Sequence, residues 1–140
     1  MKHRFPSLLS LLVAPLLLVA CNGEAGPLDP TPVLGEYTLY QINGVSAPIV
    51  VYQDARGQHE VIGGSMALRG DRSYTETADM RIIPPSGTPA PPVTNSVTGS
   101  FRLTSRGVEF LTQQGDLFVG TLVGDTLTYA VPGYRVSYVR

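Results

Sequence analysis

From residue 35 onward, apolar and polar side chains alternate along the chain. Met66 and Leu68 oppose Ala67 and Arg69; Tyr74, Ala78 and Met80 oppose Thr75, Thr77 and Asp79; Phe101 and Leu103 oppose Arg102 and Thr104. The same period returns at Leu127, Tyr129 and Val131 and at Tyr134, Val136 and Tyr138. A period of two is what a half-buried strand requires, because successive side chains leave opposite faces. Turn residues separate the runs, at Asn43-Gly44, Gly70-Asp71, Gly124-Asp125 and Pro132-Gly133 among others. Such pairs supply the positive φ and local hydrogen bonds of tight reversals. The pattern predicts strands at 36–42, 48–53, 59–69, 72–82, 95–104, 107–113, 116–122, 125–131 and 134–139, the first two as halves of one bent element.

From Phe101 the strand-plus-turn spacing is close to nine residues, and the connections are too short for a crossover helix. Consecutive strands must therefore pair antiparallel. With no helical stripe to supply a second layer, closure is the economical way to remove exposed edges. The expected fold is all-β: a single small antiparallel up-and-down meander, residues 35–140, closing into a barrel of about eight strands. Residues 83–93 carry five prolines and are expected to form an extended loop between two strands. Gly63-Gly64, inside a strand, reads as a bulge or sharp bend of the barrel wall.

The N-terminus follows another pattern. Lys2, His3 and Arg4 precede an apolar stretch at 8–20, interrupted by Pro15 and ending at Cys21. This is the layout of an export signal, and it is too short to span a bilayer. Leu18, Val19, Ala20 and Cys21 resemble the lipobox of bacterial lipoprotein signal peptides. The resemblance implies removal of residues 1–20, diacylglycerol and fatty acid such as palmitate on Cys21, and anchoring to the lipid bilayer of the cell envelope. Two or three acyl chains hold stably where one holds marginally. Asn22, in place of the aspartate that favours inner-membrane retention, implies an outer-membrane address in a host with two membranes. Residues 21–34, rich in proline and glycine, read as a flexible linker.

Composition narrows the function. Residues 21–140 hold eight arginines, no lysine and eleven acids, a formal charge of −3 with the signs interspersed. That gives no electrostatic footprint for nucleic acid. Cys21 is the single cysteine, so no internal disulfide can form.

Candidate chemistry is sparse. His59 is the one histidine after the leader, beside Glu60, with no second histidine or thiolate to complete a transition-metal site. Asp71, Glu76 and Asp79 lack EF-hand spacing and read as solvated charge. Gly63-Gly64-Ser65 lacks the trailing glycine and helix of a nucleophile elbow. Hydrolysis would require His59 to meet a serine and a carboxylate in a cleft. No catalytic residue, metal or cofactor is expected.

The export signal, the opening Gly35-Glu36-Tyr37-Thr38-Leu39 and the meander resemble small lipocalin-like barrel proteins of bacterial envelopes. Gly35 and Tyr37 stand where that family places the glycine and tryptophan of its first strand, and tryptophan is absent here. The resemblance implies an eight-stranded barrel holding a small hydrophobic molecule. The alternations nominate Tyr37, Tyr74, Phe101, Phe110 and Tyr129 as lining residues. The alternative expectation is a barrel with a filled core that engages another envelope protein.

Overall fold

The computed structural model describes residues 29–140. The expected signal peptide, Cys21 and the first part of the expected linker lie outside the described residues. A 3-10 turn, Thr31–Val33, precedes nine strands: β1 (Gly35–Ile42), β2 (Ile49–Asp54), β3 (Gly57–Leu68), β4 (Ser73–Ile83), β5 (Val93–Thr104), β6 (Gly107–Thr112), β7 (Leu117–Val123), β8 (Thr126–Val131) and β9 (Tyr134–Val139). Each lies within about two residues of its expected position, and the proline-rich segment connects β4 to β5.

All pairings are antiparallel, in the order β1-β9-β8-β7-β6-β5-β4-β3-β2, and β1 also pairs with β3. That last pairing closes the eight-stranded up-and-down barrel expected from the alternation and short turns, an architecture consistent with a lipocalin-like small barrel. β2 is supplementary. Residues 35–38 of β1 face 65–68 of β3, while β2 faces residues 57–61. The two strands thus run in series along β3, as two parts of one bent path would. Past Thr38, β1 pairs with β9 instead.

Strand lengths are unequal, and this shapes the molecule. β3, β4 and β5 have 12, 11 and 12 residues, whereas β6 to β9 have six or seven. β6 reaches only residues 99–104 of β5, and Gln113 just beyond it donates to the Thr98 carbonyl, leaving 93–97 paired with β4 alone. One end of the barrel is therefore closed. The other opens where the long strands run past the short ones.

The closed end is capped by the Thr31–Val33 turn. Val33 is buried, and the Tyr37 hydroxyl donates to its carbonyl at 2.8 Å. The Arg140 guanidinium reaches the Leu34 carbonyl and Asp125 Oδ1, each at 3.1 Å, and lies 5.5 Å from the Tyr37 ring centre. Residues 31–34, expected as the end of a linker, are thus docked on the domain.

Aromatic rings fill the middle of the barrel because cross-strand partners share a face. Phe101, Phe110 and Phe118 are successive partners across β5, β6 and β7. Phe110 stacks on Phe118 at 4.9 Å and meets Tyr74 edge-on at 5.1 Å, a favoured aromatic geometry. Gly99, opposite Tyr74, makes room for that ring: a methyl group there would come 2.7 Å from Tyr74 Cε1 and 2.1 Å from the Leu111 carbonyl oxygen. At the Gly63-Gly64 position the β3–β4 register shifts between Val61 and Gly63. The extra residue passes the inward phase from Val61 to Gly64 and Met66. A methyl at Gly64 would lie 2.4 Å from the Thr77 carbonyl oxygen, so the two backbones approach as the strand bends.

Candidate functional site

Toward the open end the aromatic packing gives way to a cavity of about 270 Å³ that opens to solvent. Its wall is mostly aliphatic: Leu39 and Ile42 from β1, Val51 from β2, Val61 from β3, Ala78 from β4, Val131 from β8 and Val136 from β9. Tyr52, Tyr134, Tyr129, Tyr138 and Glu76 complete it. The Tyr134 hydroxyl donates to the Val51 carbonyl at 2.8 Å, tying β9 to β2 at the mouth.

Glu76 is the polar centre of this wall. It faces Met66 and Val97 across the sheet and follows Tyr74 by two residues, so the register turns it inward. This corrects the expectation that Glu76 is solvated surface charge. Glu76 Oε1 accepts hydrogen bonds from the Tyr129 and Tyr138 hydroxyls. Both phenols are buried, and burial followed by the adjacent carboxylate pushes their pKa values far above the ordinary tyrosine range. They therefore remain donors at any physiological pH. Glu76 also lines a side groove of about 500 Å³ with Val97, Asp116 and Phe118, beside the stretch of β5 that β6 does not cover. The carboxylate stands between the two spaces.

Of the five nominated lining residues, Tyr129 lies on the cavity wall. Tyr37, Tyr74, Phe101 and Phe110 are buried in the filled part and do not border the cavity. The Tyr74 hydroxyl is enclosed without a hydrogen-bond partner among the described residues, and burial, then Glu76 and Asp116, push its pKa up to about 12. Glu76, Tyr134 and Tyr138 were not nominated. Their signal was parity: Glu76 shares the phase of Tyr74 and Ala78, and Tyr134 and Tyr138 share that of Val136.

His59 is buried on β3, stacked on Tyr52 with ring centres 3.9 Å apart. Its Nε2 lies 3.0 Å from Asp54 Oδ1, without hydrogen-bond alignment. His59 and then Arg56 hold the Asp54 carboxyl well below the usual carboxylate range. No serine hydroxyl bonds to His59 among the described residues. Nor does any group of three His, Cys, Asp or Glu side chains there suit a metal ion.

The chain matches no family model, and no curated protein or solved structure is significantly similar to it. The site is therefore read from its own chemistry.

Proposed function

We propose that this chain is an exported, noncatalytic lipoprotein, tethered through acylated Cys21, whose barrel binds a small hydrophobic molecule in the open-end cavity. The observation that carries the reading is the contrast within one interior. Half of it is packed with aromatic rings, whereas the other half is an aliphatic-walled space of about 270 Å³ with a mouth. Apolar pockets with a few convergent polar groups are the usual form of small-molecule sites, and this one stands just below their common size range of roughly 300–1,000 Å³.

The test uses the chain from residue 21 with Cys21→Ser, so that no detergent competes for the pocket. Native mass spectrometry of this protein from its own host is expected to show a retained small molecule. A fluorescent apolar probe is expected to bind it and to lose binding on Ala78→Leu, which fills the cavity. Absence of both adduct and probe binding refutes the pocket. The anchor is tested separately: labelled palmitate should enter the wild-type chain and not Cys21→Ala.

One observation favours a second reading, that of a domain engaging another envelope protein. Among the described residues, 93–97 of β5 leave one strand edge unpaired, with Val93 and Val97 exposed, and such edges can accept an added strand. Crosslinking in host cells, with a product lost on Val97→Lys, would support this reading over the first.

A further inference from the structure

Among the described residues the two fully buried carboxylates, Glu60 and Glu109, each have a cation, and half-buried Asp79 accepts a hydrogen bond from Thr94 Oγ1. Glu60 Oε2 is 2.6 Å from Arg81 Nε, and Glu109 Oε2 is 2.7 Å from Arg102. Glu76 has none: among the described residues no arginine or histidine forms an ion pair with it. Its Oε1 is occupied by the two tyrosine hydroxyls. Its Oε2 receives no hydrogen bond from any described residue, yet the side chain borders both the cavity and the side groove. A carboxylate in a mostly apolar wall gains most from a partner that brings positive charge and N–H donors together.

We propose that the cavity recognises a small amphipathic amine, its ammonium group set against Glu76 Oε2 and its apolar body against the wall formed by Leu39, Ile42, Val61 and Val136. This rests on the pocket reading above and names the class of ligand. The two tyrosines serve as positioning residues, holding the carboxylate so that its second oxygen faces the guest. An anionic guest such as a fatty acid would set carboxylate against carboxylate, which is unfavourable at short range. The volume limits the guest as well. At ~30 Å³ per water, the cavity equals about nine waters, enough for a short alkyl chain.

The experiment is calorimetric titration of the Cys21→Ser chain at neutral pH with octylamine, octanol and octanoate, three guests of one length and different heads. Octylamine is expected to bind about tenfold or more tighter than octanol, the scale of one charge-assisted hydrogen bond, with octanoate weakest. Glu76→Gln should bring octylamine down to about the octanol level, weakening the amine far more than the alcohol. Ala78→Leu should abolish binding of both, whereas amine adsorbed on the acidic surface would survive that change and overturn the proposal. Equal binding of octylamine and octanol by the wild type, or a preference persisting in Glu76→Gln, overturns the ammonium assignment alone. Failure of all three guests to bind overturns the pocket and the assignment together.

Discussion

Tyr129 and Tyr138 donate to the same oxygen of Glu76, and their rings lie 6.3 Å apart and nearly parallel. They come from adjacent strands, β8 and β9, while Glu76 comes from β4, so the pair bridges the barrel interior. Replacing either by phenylalanine removes a hydrogen bond to a charged group and should cost about 1.5–3 kcal/mol in urea unfolding. Because the hydroxyls share one acceptor, the double variant should depart from the sum of the singles. Strict additivity would mean that the two bonds are independent.

Alkaline pH should destabilise the protein through the same residues. Tyr37, Tyr74, Tyr129 and Tyr138 all have raised pKa values, with burial the leading cause in each. A tyrosine raised in the folded state binds its proton where the unfolded chain has lost it. Stability is therefore intact below the unfolded pKa of about 10 and falls as pH climbs above it. Ultraviolet titration should show Tyr37, Tyr74, Tyr129 and Tyr138 resisting ionisation until the chain unfolds. Ionisation of these four near pH 10 in the folded chain would contradict their buried placement.

Gly99→Ala should be among the more damaging small substitutions. The added methyl would meet the Leu111 carbonyl and the Tyr74 ring at once, and overpacking of this kind costs about 1–3 kcal/mol. Thermal unfolding would measure the loss. A further change of Tyr74 to a smaller residue should recover only part of it, because the backbone carbonyl stays in place.

Phe110→Ala and Ala78→Leu should move stability in opposite directions. Phe110 is fully enclosed among Tyr74, Phe101 and Phe118, so its truncation should cost about 3–5 kcal/mol. Leucine at position 78 enters existing space and should be neutral or stabilising by about 0.5–2 kcal/mol. Chemical denaturation compares them directly. A large loss on Ala78→Leu would mean that the cavity is not available to a side chain.

Strand positions were legible because alternation and glycine-bearing turns are local signals. The inward phase of Tyr37, Tyr74, Phe101, Phe110 and Tyr129 followed from the same alternation. Three features were not legible, each for a physical reason. Glu76 was read by its charge rather than by its phase with Tyr74, although a paired carboxylate is tolerated inside when donors such as Tyr129 and Tyr138 meet it. The Thr31–Val33 cap was hidden by proline-rich composition, since Pro30 and Pro32 suggest a linker yet also suit a short 3-10 turn. The open end depends on how far β6 extends along β5, a non-local quantity that no window of sequence contains. Hence Tyr37, Tyr74, Phe101 and Phe110 share the inward phase of Tyr129 but sit at another depth along the barrel.

The mouth has one weakly fastened side. Among the described residues β2 has a backbone ladder to β3 only, and its link toward β9 is the single bond from the Tyr134 hydroxyl to the Val51 carbonyl. Swinging β2 outward there would break that one hydrogen bond, worth about 0.5–1.5 kcal/mol, and uncover Ile49 and Val51, which pack against the core, whereas parting two paired strands elsewhere breaks several bonds together. On the pocket reading proposed above, β2 is the side of the mouth past which a guest wider than the resting aperture would enter, because one ladder and one phenol hold it there.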